Sequence, residues 1–271
     1  MKHVPRQPRD DVNVTATHPL IDASALVVGV GLLLLAAFTA LLFAVEIGVR
    51  FISPQMEVRL FSGWSPADAP TLEGDDRQAA LQALTSELAA LWPEAPYDFQ
   101  LGILDMDAPN AMAAPGGHVL VTRGLLDAVA SENELAFVLA HELGHFHNRD
   151  HLRTLGRVLV LQIAFAAVSN SGSPGFTVTL GDLTLRGFGR RQESQADAFA
   201  LDLVHARYGH IAEADRFFER LREDESPTDY LRAYTSTHPI PRERIEALAT
   251  LSQTRGFAVE GVLTPLPWSQ P

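Results

Sequence analysis

The stretch LAHELGHFHNRDH (Leu139–His151) gathers four histidines and a glutamate into thirteen positions. Whether they hold a metal or merely decorate a solvated helix decides how the rest of the chain is read. His141 and His145 are four residues apart, about 400° on an α-helix, so both imidazoles lie on one face, one turn apart. Two rings stacked in this way reach a single Zn²⁺ at about 2.0–2.1 Å. Glu142 stands about 100° around the axis, placed to flank a metal rather than ligate it, which suits a general base on an attacking water. Gly144 is expected to leave open space beside the second ligand. His147 is about 600° from His141, effectively on the opposite face, and His151 falls near the helix end. Both read as ordinary polar residues.

With ten histidines in the chain, a chance HExxH should occur on the order of once in fifty such sequences. The context adds weight. Ser131 with Glu134 three residues later is a capping-box signature, opening a helix whose apolar side is Leu135, Val138, Leu139 and Phe146. A catalytic zinc site needs a third protein ligand and one open position. The candidate is Glu193 in RRQESQADAFA, with Asp197 four residues on and on the same helical face. That pair reads as a ligand and a carboxylate that orients a zinc-bound histidine. One zinc ion per chain is expected.

Composition narrows the alternatives. The chain has 271 residues, a formal charge of −12 and no cysteine. Thiolate metal sites, disulfides and a cysteine nucleophile are excluded together, so any metal is held by histidine and carboxylate. The acidic balance argues against a nucleic-acid partner. Near the N-terminus, ALVVGVGLLLLAAFTALLFAV (Ala25–Val45) is uncharged throughout. Its length of roughly 31 Å matches a bilayer core of about 30 Å. It is longer than a signal-peptide core and follows a long polar tail. Lys2, Arg6 and Arg9 precede the run while Arg50 and Arg59 follow it, so the positive-inside bias is weak. A short tail inside and a large acidic domain on the extracytoplasmic (periplasmic) side is the preferred orientation.

The expected organisation is a tail (1–24), a transmembrane anchor (25–49), a linker (50–74), a main domain that carries the histidine motif (75–252) and an irregular C-terminal tail (253–271). Within the domain, Leu81, Leu84, Leu88 and Leu91 recur at helical spacing before Pro93. YDFQLGILDM (97–106) and HVLVTRGLL (118–126) read as strands, with Pro115, Gly116 and Gly117 supplying a turn. VLVLQIAFAAV (158–168) is too short to span a membrane alone and reads as a core helix, ended by a loop at NSGSPGF (170–176). Further helices are expected over 190–208, closed by Gly209, and at IAEADRFFERLRED (211–224) and PRERIEALATLSQ (241–253).

Four segments together, NAMAAPGGHVLVTRGLL (110–126), HELGH (141–145), ESQAD (193–197) and STHPIPRERI (236–245), resemble the M48 family of zinc metallopeptidases, the group of the CAAX prenyl protease and HtpX. The resemblance covers roughly Asp75 to Leu251. It implies a zincin-like, gluzincin-type fold: α+β and mainly helical, with an active-site helix and a small antiparallel sheet behind the N-terminal transmembrane helix. It implies zinc held by His141, His145 and Glu193, with Glu142 as catalytic base and Asp197 supporting the ligand shell. It places His238 in the site, where it is a candidate second donor to the oxyanion, and Arg244 is expected to hold that loop by pairing with an acidic residue. The chain differs from those two proteins in carrying one confident span, a layout closer to single-anchor members. The function expected is hydrolysis of unfolded or membrane-associated polypeptides in protein quality control, with substrate added to a free sheet edge. The competing expectations are a membrane-tethered, zinc-containing chaperone or binding module with little hydrolysis, and a protease held latent by the loop from His238 to Arg244.

Overall fold

A computed structural model of the chain describes residues 18–63, 71–72, 74–169, 189–214, 216, 238 and 242–269. The chain divides into two compact units, residues 1–44 and 45–271. In the first, helix α1 (Pro19–Gly48, 30 residues) begins earlier than the apolar run, because Pro19 presets a helical φ at the first position and the His18 carbonyl accepts the Ile21 and Asp22 amides. Its apolar side chains, Leu32, Leu33 and Phe43 among them, are exposed. The Thr39 hydroxyl is satisfied inside the helix by the Leu35 carbonyl at 2.9 Å, so it can sit in hydrocarbon. Among the described residues, this helix with the turn to Phe51 is the one element long and apolar enough to cross a bilayer.

The second unit opens on the last turn of α1, from Val45, and part of the stretch after it, expected to be a linker, is built in. Helix α2 (Pro54–Leu60) is capped by Ser53, whose Oγ accepts the Met56 amide at 3.1 Å. Glu57 on this helix is fully buried. Its carboxylate accepts from the Tyr97 hydroxyl at 2.7 Å, from the Gly116 amide at 2.8 Å and from His151 Nε2 at 2.9 Å, and Arg149 stands 3.2 Å away. His151, read from sequence as an ordinary polar residue, is therefore a buried partner of the segment that follows the anchor.

Helix α3 (Gln78–Ala90) buries Leu81, Leu84 and Leu88, as their spacing predicts. The sheet comprises β1 (Gln100–Leu104), β2 (Ala111–Ala114) and β3 (His118–Thr122), in the order β1-β3-β2. It is mixed, not antiparallel as expected: β2 and β3 form an antiparallel hairpin, but β1 runs parallel to β3. After Leu104 the chain crosses the far end of β3, where the Met106 carbonyl takes the Gly124 amide, and so enters β2 on the other side. The strand expected through Leu126 stops at Thr122. The Thr122 hydroxyl accepts the Leu125 amide at 3.2 Å and caps α4 (Arg123–Ala128).

Helix α5 (Glu132–His147) is buried from Glu132 to Phe146. A helix buried on every side is the centre of its domain, and α5 packs against α3, β2, α6 (Asp150–Ser169) and α7 (Arg190–Tyr208). The Ser131 cap forms, with Oγ accepting the Glu134 amide at 3.2 Å, but the Glu134 carboxylate reaches back to the Ala130 amide at 2.7 Å instead of its own cap. Helix α6 starts at Asp150, well before the apolar run expected at 158–168. Val158 and Val160 are buried, whereas Ile163 and Phe165 face outward. Helix α7 ends at Gly209, which adopts the left-handed conformation at φ 75°. Helix α8 (Arg242–Arg255) packs on α7. The segment after it, expected to be an irregular tail, straps the core. Leu266 is buried, and Asn133 Oδ1 accepts the Thr264 amide at 2.8 Å at the start of α5. The expected loop at 170–176 and all but the first turn of the expected helix at 211–224 lie outside the described residues.

Burial alone would raise the Glu57 carboxyl, but the His151, Gly116 and Tyr97 contacts outweigh it and hold it below the ordinary value. Removing one partner of a buried charged network typically costs about 3–5 kcal/mol. Glu57→Ala should destabilise the full chain in detergent by that amount, read from urea unfolding by tryptophan fluorescence. A depressed carboxyl stabilises above its unfolded-state value and stops doing so as pH falls through the folded one, so the gap between wild type and variant should close below about pH 4.5. A variant within ~1 kcal/mol of wild type at neutral pH shows that Glu57 does not hold this segment.

Candidate metal centre

Helix α5 presents His141, Glu142 and His145 from the middle of the core, and α7 crosses it closely enough to bring a carboxylate to the same point. A Cβ on Gly144 would lie 2.8 Å from Ala196 Cα and 2.9 Å from its carbonyl oxygen. The space that glycine was expected to leave open is thus filled by the α7 backbone. Ala196 lies between Glu193 and Asp197 in the sequence, so this contact seats both carboxylates against the two histidines.

The two Nε2 atoms of His141 and His145 are 3.1 Å apart. Glu193 Oε2 is 3.5 Å from the first and Oε1 is 3.5 Å from the second. His238 Nδ1 lies 3.2 Å from His141 Nε2 and 3.2 Å from Glu193 Oε1. One atom from each of these four buried residues falls within 4.8 Å of the others. Ligands held tetrahedrally at about 2.0–2.1 Å from one ion stand roughly 3.3 Å apart, which is the spacing found.

The outer nitrogens explain why the inner ones converge. His141 Nδ1 is 2.9 Å from Asp197 Oδ1, and His145 Nδ1 is 3.2 Å from Asp150 Oδ2. A carboxylate at Nδ1 fixes the proton there and leaves the Nε2 lone pair facing inward. Two such lone pairs 3.1 Å apart repel each other unless something positive lies between them. The donor set therefore fits a divalent cation. Burial opposes charge on His141, yet Asp197 and Glu193 outweigh it and push the imidazole up to about 9. His145 is pushed down by its burial, which prevails over Asp150. Burial would raise Glu193, but His238 and His141 hold it well below the usual carboxylate value.

Glu142 is the exception among these groups. Both its oxygens are buried and accept no hydrogen bond among the described residues, and His238 Nε2 stands 3.5 Å from one of them. A buried carboxylate left without a partner beside a cluster of potential ligands has the position of a base awaiting a proton donor.

Two supporting residues complete the arrangement. Arg244 grips Asp197 through Nε at 2.6 Å and through a terminal nitrogen at 2.7 Å, and it also pairs with Glu193. The acidic partner expected for Arg244 is thus a pair of carboxylates, which ties α8 to the site. Asp150 was missed. It is the residue five beyond His145 in HFHNRD, and its other oxygen accepts from Gln192 at 2.7 Å. The histidine spacing contained no signal for it, because it lies past the end of α5 and returns only through the turn into α6. His147 takes no part; its ring stacks on Phe199 at 4.6 Å.

A buried His₂Glu cluster on two crossed helices, with an unpartnered glutamate next to the first histidine, defines the zincin-like class of metallopeptidases. The family model of peptidase family M48 matches residues 75–252, and the chain belongs to that family. It is 30% identical over 155 residues to the mitochondrial metalloendopeptidase OMA1 of Schizosaccharomyces pombe, covering 55% of this chain and 45% of that protein. It is 35% identical over 104 residues to a protease HtpX homolog of Aquifex aeolicus (36% and 31%). Over 105 residues it is 33% identical to the metalloprotease YcaL of Escherichia coli (36% and 41%). The match spans less than half the length of each of these relatives.

Removing a group that orients a metal-bound histidine typically costs 10–100-fold in affinity. Asp150→Ala should lower zinc affinity by about 10–100-fold, measured by competition with a chromophoric chelator, while the folded fraction by circular dichroism stays unchanged. An affinity equal to wild type excludes Asp150 from orienting His145.

Proposed function

We propose that the chain is a single-pass, membrane-anchored zinc metalloendopeptidase that cleaves unfolded or membrane-associated polypeptides in protein quality control. Its catalytic domain lies on the extracytoplasmic side. One zinc ion is held by His141, His145 and Glu193; Glu142 is the general base and Asp197 orients His141. The observation that carries this reading is the convergence of two inward Nε2 atoms and the Glu193 carboxylate beside the unpartnered Glu142. The relatives' names, metalloendopeptidase and protease, support the reaction class.

Bound at these residues, zinc supplies Lewis acidity, polarising a scissile carbonyl and lowering the pKa of water from about 15.7 toward 7. Glu142 then takes the proton of the attacking water and returns it to the departing amine. Asp197 and Asp150 keep both imidazoles in the tautomer that leaves Nε2 free, while Arg244 fixes Asp197. Strand β2 is one of the two edges of the sheet and packs on α5, the helix that carries Glu142, which supports an extended substrate joining the sheet there. Recognition of that kind is largely through the main chain and favours unfolded polypeptides.

The place of His238 favours a second reading. As a donor to the oxyanion it needs to face a substrate oxygen, whereas Nδ1 here points at the same spot as the three ligands. In that position it occupies the corner an attacking water needs, the latent arrangement anticipated from the sequence.

Casein cleavage with parallel zinc analysis tests both. Glu142→Gln should retain zinc and lose activity by about 10²–10⁴-fold; activity kept by this variant rules out Glu142 as the base. Zinc bound with no cleavage even by wild type points to the tethered binding module, unless His238→Ala releases activity, which identifies the latent form. Loss of activity in His238→Ala instead assigns the histidine to the oxyanion.

A further inference from the structure

The charge of this chain is strongly negative, yet one cleft carries the opposite sign. It lies in the second unit and has a volume of about 560 Å³; among the described residues its lining sets Arg50, Arg153, Arg157 and Arg191 against two carboxylates, Glu46 and Asp150. Close approach creates it: a Cβ on Gly156 would lie 2.4 Å from Val45 Cγ1, so α6 passes directly beside the last turn of α1. Arg153 and Arg157 then share the single carboxylate of Glu46, at 3.0 and 2.7 Å. Asp150 is already engaged with His145 and Gln192.

Arg50 and Arg191 are exposed and have no ion pair among the described residues. Two further features of the lining favour an anion. Asn148 Nδ2 is a buried amide donor with no acceptor. The 19-residue helix α7 begins at the cleft with Gly189 as its cap; Gln192 Oε1 accepts the Gly189 amide at 3.0 Å, and among the described residues no side chain caps the amides that follow. The positive end of a helix and its free amides bind phosphate readily.

The sequence says where such an anion comes from. Glu46 directly follows the uncharged run that ends at Val45, and Arg50 lies about one helical turn beyond. If that run fills the hydrocarbon core, these residues stand at the level of the lipid headgroups. We propose that the cleft binds the phosphate of an anionic phospholipid headgroup, with Arg50 and Arg191 as direct ligands and Arg153 and Arg157 exchanging part of their hold on Glu46 for the lipid. This rests on α1 being the membrane anchor. The floor of the cleft, Asp150 and Gln192, also supports His145, so the headgroup lies one side chain away from the metal centre.

The test uses the full chain in phosphatidylcholine vesicles, with and without a minor share of phosphatidylglycerol, followed by mild detergent extraction. Mass spectrometry then gives the ratio of the two lipids retained per chain. Wild type should enrich phosphatidylglycerol over its share in the vesicle. A basic side chain near an anionic surface is worth about a fivefold preference, so Arg50→Gln with Arg191→Gln should lower the enrichment by about twenty- to thirtyfold. Among the described residues neither arginine holds another in place, and unchanged zinc content and melting temperature verify that the variant is folded. No enrichment in wild type, or equal enrichment in the variant, overturns the proposal. Displacement of phosphatidylglycerol by millimolar inorganic phosphate also overturns it, assigning the cleft to a soluble anion. Failure of the chain to float with pure phosphatidylcholine vesicles breaks the anchor reading itself; flotation without enrichment breaks only the headgroup site.

Discussion

Two imidazole Nε2 atoms turned toward each other across 3.1 Å in a buried core are the constraint on which this domain is built. Unless a proton or a cation lies between them, their lone pairs repel. The arrangement persists because each ring is held from behind by a carboxylate, Asp197 on one side and Asp150 on the other. Those carboxylates are in turn held by Arg244 and Gln192. Every step outward from the pair is a charged or polar group that would be costly to bury alone. The cluster is stable only as a whole, and a cation at its centre removes the remaining conflict.

This explains why α5 is buried along almost its entire length although it carries several ionisable residues. A helix placed at the centre of a core cannot send its polar side chains to solvent, so each needs an internal partner. Glu132 meets Arg207 and the Tyr208 hydroxyl, Asn133 meets the C-terminal strap, and Glu134 meets the Ala130 amide. The histidines have their carboxylates. Among the described residues Asn133 Nδ2 also lacks an acceptor, but Glu142 alone on this helix has both of its side-chain polar atoms buried without a partner, and that exception marks the point where chemistry is expected.

The parts of the structure legible in the sequence were those written as local periodicity. The i, i+4 histidines, the Ser131 cap, the α3 leucines and the Gly209 stop depend on residues within a turn or two of one another, and the helix imposes their relation. Asp197 was readable because it repeats the same spacing from Glu193. What the sequence did not reveal was set by how elements meet. Gly144 looked like open space, since nothing nearby in the chain says that Ala196 will lie against it. The parallel pairing of β1 with β3 depends on which way the chain passes the end of β3. His151 seemed ordinary because its partner, Glu57, is 94 residues away, in a stretch whose proline, glycine and serine content resembled a linker.

Glu57 gives the last step. The segment that follows α1 would be a loose tether if nothing bonded it to the rest of the second unit. Instead Glu57 takes bonds from the β2–β3 turn through Gly116 and from the start of α6 through His151, while Arg149 reaches the Ile52 carbonyl at 2.7 Å. Glu46 grips α6 at Arg153 and Arg157, and Arg153 reaches Asp150 at 3.3 Å. The residues immediately after the apolar run are thereby bonded to the sheet's hairpin on one side and to the support of His145 on the other. Strain applied there has a short, hydrogen-bonded route to His145. Flexibility in this segment would separate those two contacts, so the buried charge of Glu57, expensive as it is, is what makes residues 52–60 part of the second unit.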